Sequence, residues 1–208
     1  IFIEDLKGKV KLRYCPVDIS SYMVDKAIER VKKLDVAEVF EYQWNISDFE
    51  NLGNLASLLR KGEFKTNLFL LLGNTLGNFE INELLYSIRS SMKDGDYLLI
   101  GNGLDNRHHD EILNSYNSKE VKDWLIRILE QVGLDRNDLT FDVSFKNSRV
   151  ELCFILNRDK KIGFQDKTIY FSKGDRILVS VSYKYDEHDF KRFMKIYFDD
   201  IKTYVSKD

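Results

Sequence analysis

The segment from residue 67 to residue 79 limits the fold of this chain more than any other. Its five consecutive apolar residues, 68–72, predict a strand that is buried on both faces. A polar turn between two glycines follows, and apolar residues then return at helical spacing. This arrangement places Asn74, Thr75 and Asn78 at the carboxyl end of a strand, where open α/β sheets bind ligands. An ordinary strand–helix connection with an asparagine cap explains the same pattern.

The segments on either side of this turn repeat the alternation of strand and helix. Four apolar runs predict strands, at residues 10–17, 36–42, 68–72 and 97–100. Helical periodicity lies between them, and Ser20 stands where it would cap the first of these helices. The order β-α-β-α-β-α-β predicts an α/β fold with a mainly parallel sheet and right-handed crossovers.

After Gly101 the pattern becomes mainly antiparallel. A long amphipathic helix is predicted to end before Gly133, and a last helix at residues 190–197 has Asp186 as its predicted cap. Four runs with a period of two predict strands, at residues 141–145, 150–156, 167–171 and 177–185. We expect the first two strands to form one pair across Asn147–Ser148 and the last two to form a second pair.

Composition excludes several classes of protein. The chain has 208 residues, a formal net charge of −2 and 13% aromatic residues, as expected of a folded globular chain with no nucleic-acid or membrane partner. Its longest apolar runs are strand-sized, so neither a transmembrane helix nor a signal peptide is predicted. Cys15 and Cys153 lie far apart and are predicted to be free thiols in a reducing compartment, the cytoplasm. The three histidines complete no ligand set at the usual spacing, so no metal site is predicted.

Six motifs occur in an order that resembles a known family. They lie at residues 14–20, 46–49, 73–79, 95–101, 115–117 and 181–185. Their order and spacing resemble the histidine-specific S-adenosylmethionine-dependent methyltransferases. The best-known members make the trimethylated histidine of ergothioneine biosynthesis. The Thr-Leu-Gly-Asn-Phe element at residues 75–79 is the most specific of the six motifs.

The resemblance implies a class I methyltransferase fold. This fold is a Rossmann-like, mainly parallel sheet with a β-containing substrate lobe, which here would be antiparallel. We expect residues 1–105 to form the α/β core, residues 106–185 a helical and antiparallel β lobe, and residues 186–208 a helix that returns to the core. The glycine-rich motif of such a core would lie upstream of Ile1, so we expect the chain to be part of a longer protein.

The implied activity is methyl transfer from S-adenosylmethionine to the α-amino nitrogen of an amino acid, a small-molecule substrate. We expect the protein to be a monomer. A second hypothesis is a family member or fragment that keeps the fold without catalysis and acts as a binding or partner subunit. A dinucleotide oxidoreductase is a third hypothesis, but the chain has no Gly-x-Gly-x-x-Gly motif.

Five residues match positions that bind the cofactor in the family. They are Asp18, Asp48, Phe49, Gly73 and Thr75. The resemblance implies that Asp18 accepts the ribose hydroxyls, that Asp48 and Phe49 hold the adenine, and that Gly73 lets the backbone approach the cofactor. From the residues alone, Asp18 is also a candidate helix cap, and Asp48 with Phe49 a polar turn beside a core aromatic.

The substrate is predicted to bind at four residues. Asn78 and Tyr116 match the catalytic pair that holds the amine and carboxylate, although packing is the alternative for Tyr116. Ser180 and Ser182 share a strand face and could line the same pocket. Histidine-specific members have a glutamate where this chain has Ser180, and serine cannot form that charge-assisted hydrogen bond. The predicted substrate is therefore histidine or a related small amine. Gly103 stands where we expect an acidic residue.

Overall fold

The computed structural model describes residues 2–41, 52–105, 108–164 and 166–205. Two compact units are present, and each is described by itself. The first unit comprises Ile1–Leu71 and Asn82–Ile100, and the second comprises Leu72–Ile81 and Gly101–Asp208. Among the described residues, no helix has the length and apolar character needed to cross a membrane.

After a short first helix that was not predicted, the first half of the chain alternates strands and helices in the predicted order. The helices are α1 (Phe2–Asp5), α2 (Ser21–Leu34), α3 (Leu52–Leu59) and α4 (Ile81–Ser91). The strands are β1 (Arg13–Tyr14), β2 (Glu38–Val39), β3 (Leu68–Leu71) and β4 (Tyr97–Ile100). The first two strands are shorter than predicted, because only two residues of each pair with a neighbour.

Parallel pairing is confirmed for both pairs of strands in the first unit. β1 pairs with β2, and β3 pairs with β4, with Leu68 opposite Tyr97 and Leu71 opposite Ile100. The two pairs are separate two-stranded sheets in the described part of the chain. A single Rossmann-like sheet that contains all four strands therefore stays a prediction.

The burial of β3 differs from the sequence-based expectation. Leu71 is 7% exposed, whereas Leu68 and Leu70 are 48% and 37% exposed. The prediction that this strand is buried on both faces is therefore wrong. Successive side chains of a strand point to opposite faces, so covering one face leaves alternate leucines in solvent. A continuous apolar run does not reveal how many faces are covered.

Helix α2 forms where its local sequence predicts. The Ser20 side chain accepts a hydrogen bond from Met23 N at 3.4 Å, and Val24 and Val31 are buried on the apolar stripe. The helix ends at Asp35, whose left-handed backbone has φ 49° and donates to Lys32 and Val31 carbonyls. The cap and the stripe together fix the start and the inward face of the helix.

Asp96 stabilises the turn before β4. Its carboxylate forms an ion pair with Arg60 and accepts hydrogen bonds from the backbone of Asn67 and Lys93, both at 2.8 Å. Burial raises the pKa of Asp96, but the hydrogen bonds from Arg60, Asn67 and Lys93 outweigh it and leave the pKa below its ordinary value. This aspartate therefore folds in its charged form.

The described residues of the second unit form three longer helices, two short 3-10 helices and five strands. The helices are α5 (His109–Tyr116), α6 (Lys119–Gln131) and α7 (Glu187–Tyr197). The 3-10 helices are Thr75–Asn78 and Arg136–Asp138. The strands are β5 (Leu139–Lys146), β6 (Arg149–Leu156), β7 (Lys160–Phe164), β8 (Lys167–Phe171) and β9 (Arg176–Tyr183).

The antiparallel sheet of this unit has the order β5-β6-β9. β5 and β6 form the predicted hairpin across Asn147 and Ser148, which both have positive φ, as a two-residue hairpin turn requires. The predicted pairing of residues 167–171 with residues 177–185 is wrong. β8 instead pairs with β7, and β9 pairs with β6. Strand β7 was not predicted, because its lysines and glycine do not alternate like a half-buried strand.

One hydrophobic core fills the second unit. Its fully or nearly buried residues come from α5, α6, β5 and β6 and include Ile112, Leu125, Ile126, Leu129, Val150, Leu152, Phe154 and Leu156. Ser118 caps α6 by accepting a hydrogen bond from Val121 N at 3.2 Å, and Asp186 caps α7 as predicted. Helices therefore cover one face of the sheet. Ser180 and Ser182 of β9 lie on that same face.

Candidate functional site

Three polar side chains of the second unit meet at the hydroxyl of Ser182, which is 4% exposed. The Tyr116 hydroxyl lies 2.9 Å from Ser182 Oγ, Lys184 Nζ lies 2.7 Å away and Asn74 Nδ2 lies 3.3 Å away. We call Asn74, Tyr116, Ser182 and Lys184 the Ser182 cluster. It brings together the strand-end turn, the end of α5 and the end of β9.

A β-bulge places Ser182 on the core face of the sheet. Ser180 and Ser182 lie opposite Leu152 and Val150, which are both buried, whereas the register with β6 shifts between Leu152 and Cys153. One extra residue of β9 is accommodated at that shift, so the alternation of its side chains changes there. Bulges commonly re-aim side chains beside functional sites. Here the bulge turns both serines toward the interior.

Asn74 is held in one orientation by its surroundings. Its backbone is left-handed, with φ 64°, a conformation that asparagine tolerates better than most residues. Its N–H donates to Gly101 O at 3.1 Å, and its Oδ1 accepts from Gly103 N at 2.9 Å. Because Oδ1 is occupied by a donor, the amide must direct Nδ2 toward Ser182.

Two glycines leave room for the Asn74 amide. A Cβ atom at Gly77 would lie 2.7 Å from Asn74 Nδ2 and 3.1 Å from Tyr183 O, and one at Gly103 would lie 3.2 Å from Asn74 Oδ1. A side chain at either position would therefore displace the amide. This accounts for glycine at residue 103, because an acidic side chain there would crowd the Asn74 oxygen.

Lys184 and Tyr116 form the buried side of the cluster. Lys184 is 4% exposed, and its backbone N–H donates to Ser148 O at 2.7 Å, just beyond the end of β9. Its ammonium lies 5.5 Å from the centre of the Tyr116 ring, within cation–π distance. Tyr116 is the last residue of α5 and is partly buried against the core.

Aromatic rings continue from the cluster toward α7. Tyr183 stacks on Tyr185 with centroids 5.9 Å apart, and Tyr185 meets Phe193 edge-on at 5.6 Å. Burial, together with the nearby Glu80 and Tyr183, raises the pKa of Tyr185 to about 12. Tyr185 therefore stays protonated near neutral pH and serves as a packed wall rather than as an acid or base.

The predicted substrate residues are only partly brought together. Tyr116 and Ser182 are in hydrogen-bond contact, and Ser180 lies on the same face of β9 two residues earlier. Asn78 is exposed at the end of the 3-10 helix Thr75–Asn78, one turn beyond Asn74. Their roles toward a substrate stay predictions.

The predicted cofactor residues are distributed over both units. In the second unit, Gly73 has φ 75°, and a Cβ there would meet nothing within 4 Å, while the Thr75 hydroxyl donates to Leu72 O at 2.8 Å. In the first unit, Asp18 is exposed, and its Oδ1 accepts from Ser20 N at 2.8 Å. Asp48 and Phe49 lie outside the described residues. The open space at Gly73 fits close approach of a ligand to the backbone, as the cofactor requires.

The first residues of α7 bring three potential metal ligands together outside the cluster. Asp186, His188 and Asp189 offer ligand atoms within 4.8 Å of one another. The Asp186 carboxylate already accepts a hydrogen bond from Asp189 N as the cap of α7, and this bond helps to lower its pKa. The arrangement is that of a helix start, where acidic residues are stabilising without a metal.

Asn74 was predicted only to lie at a strand end where ligands bind, and Lys184 was given no role. The Gly73–Asn74 pair marks a turn with positive φ, which is a usable signal for a fixed asparagine. Lys184 gave a weaker signal, since a lysine between two tyrosines at a strand end is usually solvated. Only the fold shows that its side chain is buried.

Comparison with known proteins identifies the family. A family model described as histidine-specific, S-adenosylmethionine-dependent methyltransferase matches residues 1–206. The chain belongs to this methyltransferase family. The family and cofactor predicted from the sequence motifs are therefore confirmed.

Other comparisons add little to this assignment to the methyltransferase family. No curated protein matches the sequence. Among solved structures, the chain is similar to an S-adenosylmethionine-dependent methyltransferase from Clostridium acetobutylicum, with 12% identity and a TM-score of 0.41. The match covers 92% of this chain and 65% of the solved chain, so this sequence spans about two thirds of that protein.

Proposed function

We propose that this protein is an S-adenosylmethionine-dependent N-methyltransferase that modifies the α-amino nitrogen of an amino acid. The acceptor is histidine or a related small amine. We further propose that the protein acts as a monomer in the cytoplasm, on a small molecule rather than on a nucleic acid or a membrane.

The observation that supports this proposal is the Ser182 cluster in a member of this family. Tyr116 and Ser182, which sequence motifs predicted separately as substrate residues, lie 2.9 Å apart although 66 positions separate them in the chain. A hydroxyl pair at this distance offers both donors and acceptors to an amino acid. The neighbouring turn carries Asn78, whose amide can accept from an amine and donate to a carboxylate.

The chemistry requires positioning more than acid–base catalysis. When bound, S-adenosylmethionine supplies a methyl group already activated by its sulfonium. The protein must hold the acceptor nitrogen in line with that group and must exclude geometries that do not react. In our proposal Asn78 orients the amine, Tyr116 holds the carboxylate, and Ser182 fixes the Tyr116 hydroxyl.

The presence of Ser180 bears on which amino acid is accepted. It occupies the position of the glutamate that binds the imidazole in histidine-specific members, and its hydroxyl is neutral. A neutral hydrogen bond is roughly half as strong as a charge-assisted one. We therefore propose that imidazole recognition is weaker here and that histidine competes with other small amines for the site.

The experiment uses the full-length protein. Calorimetry with S-adenosylhomocysteine tests cofactor binding, and mass spectrometry after incubation with individual amino acids tests methyl transfer. We expect Asn78→Ala to lower turnover at least about tenfold, because it removes hydrogen bonds to charged groups of the acceptor. S-adenosylhomocysteine affinity should be unchanged in this variant.

Asn114→Ala provides the matched control, because Asn114 is an exposed asparagine on α5. It should retain turnover and cofactor affinity. A full protein that binds no S-adenosylhomocysteine would refute the methyltransferase proposal and favour a non-catalytic binding subunit. Undiminished turnover in Asn78→Ala would leave the activity in place and refute the assignment of the acceptor residue.

A further inference from the structure

Lys184 differs from the other buried charges of the protein. Asp96 pairs with Arg60, and the buried Asp138 pairs with Arg158 and Lys160. For Lys184, in contrast, no carboxylate lies within 4.0 Å of Nζ among the residues that the structure describes. Its partners are neutral oxygens, Ser182 Oγ at 2.7 Å and Tyr183 O at 3.4 Å. Buried ammonium groups are costly unless an opposite charge is close.

The hydrogen-bond capacity of Ser182 determines where the tyrosine proton points. A serine hydroxyl has two lone pairs and one proton. Lys184 Nζ can only donate, and the Asn74 amide presents its NH₂ because Gly103 N donates to its oxygen. These two donors can fill both lone pairs of Ser182, and in that arrangement Ser182 donates its own proton to the Tyr116 oxygen, 2.9 Å away. The Tyr116 O–H is then left to donate to a ligand.

The charge of Lys184 and the free O–H of Tyr116 both favour an anion beside Tyr116. The tyrosine presents a hydroxyl donor, and the ammonium behind it supplies a positive charge that nothing in the described part of the chain neutralises. The α-carboxylate is an anionic group that every α-amino acid carries. An amine that lacks a carboxylate would gain nothing from either feature.

We propose that Lys184 is a positioning residue that makes the acceptor site selective for a carboxylate. It acts through Ser182 and Tyr116 and discriminates an amino acid from the amine formed by its decarboxylation. This inference rests on the proposed function, because it assigns the Ser182 cluster to the acceptor. The methionyl part of the cofactor also carries a carboxylate, and the experiment distinguishes the two sources.

The test compares L-histidine with histamine in Lys184→Met. Binding of each is measured by calorimetry on the full protein saturated with S-adenosylhomocysteine, so no turnover is needed. We expect the affinity for histidine to fall about tenfold or more, the scale of a lost hydrogen bond to a charged group. The affinity for histamine should stay the same. Where turnover is measurable, the KM for histidine should rise more than kcat falls.

Two further variants separate the charge from the shape of the side chain. Lys184→Arg keeps the positive charge and should restore most of the preference for histidine over histamine. Lys195→Met removes an exposed lysine from α7 and should change neither affinity. Thermal unfolding of Lys184→Met should show no loss of stability, because methionine removes an unpaired buried charge.

Three outcomes would overturn the inference. The first is wild-type protein that binds histidine no better than histamine. The second is a Lys184→Met variant that weakens both ligands equally, as a purely structural role would do. The third is a loss of S-adenosylhomocysteine affinity with no change for histidine, which would assign the carboxylate to the cofactor. Selective histidine binding without methyl transfer would support the inference while refuting the proposed reaction.

Discussion

The two units of this protein bury their strands to different extents. In the first unit, β3 and β4 have four residues each, and Leu68, Leu70, Tyr97 and Leu99 are all more than a third exposed. In the second unit, β6 has eight residues, and Val150, Leu152, Phe154 and Leu156 are almost completely buried. Both sets of strands are rich in apolar residues, but these four residues of β6 lie on a covered face of their sheet, whereas the four residues of β3 and β4 do not.

The difference between these strands follows from how the faces of their sheets are covered. A sheet is stable when each apolar face is covered by helices or by another sheet. The β5-β6-β9 sheet meets this condition on one face through α5 and α6. The Ser182 cluster lies on this well-packed sheet, and rigid elements hold side chains more accurately than loops.

The largest expected effect contrasts a buried strand position in the second unit with an exposed strand position in the first. Phe154→Ala should lower the free energy of unfolding by about 3–5 kcal/mol, because it leaves a cavity in a core that cannot collapse. Leu70→Ala should cost about 1 kcal/mol or less, because much of that side chain is already in water. Urea denaturation followed by circular dichroism measures both losses.

Leu71→Ala serves as the control for the first unit, since Leu71 is only 7% exposed on the same strand. It should cost clearly more than Leu70→Ala. Equal losses at residues 70 and 71 would mean that the exposed face of β3 is covered in solution. The contrast between the two units would then be wrong.

The second contrast compares one buried ion pair from each unit by its contribution to stability at different pH values. The pKa of Asp96 is lower in the folded protein than in the unfolded chain, where it is about 3.9. Its contribution to stability is therefore complete above about pH 4 and is lost as the pH falls through the lower, folded-state pKa. Asp96→Asn should lose about 3 kcal/mol at neutral pH, because Arg60 is left without its charge partner.

Asp138→Asn is the matched variant in the second unit. Hydrogen bonds from Lys160 and then Arg158 lower the pKa of Asp138, but Arg158 is 64% exposed and can return to water. We expect a smaller loss than at Asp96. Unfolding curves collected at neutral and acidic pH measure both. A difference between wild type and Asp96→Asn that grows on acidification would have the wrong sign for this explanation.

The sequence predicted local features of the fold better than long-range ones. Capping by Ser20 and Asp186 and the hairpin at Asn147–Ser148 depend on neighbouring residues, and all three are confirmed. The partner of β8 was predicted incorrectly, because strand pairing depends on which apolar faces can be covered together. The same limit applies to β3, whose leucines cannot show how many of its faces are buried.

Sequence motifs predicted only part of the candidate site. The family resemblance singled out Tyr116 and Ser182, which the fold brings together. Asn74 was missed as a contact because its orientation depends on Gly101 and Gly103, about thirty residues away. Burial of Lys184 depends on packing across the second unit, which residue type and spacing do not encode.

The smallest expected effect tests whether the contrast extends to the helices. Ser20 and Ser118 cap α2 and α6 by the same hydrogen bond, at 3.4 Å and 3.2 Å. Removing a serine cap costs about 1 kcal/mol whatever the helix packs against, because the lost bond is local. Ser20→Ala and Ser118→Ala should therefore lower the unfolding free energy equally, as measured by urea denaturation. Equal losses would confine the difference between the units to their sheets, whereas a much smaller loss for Ser20→Ala would show that α2 is also weakly held.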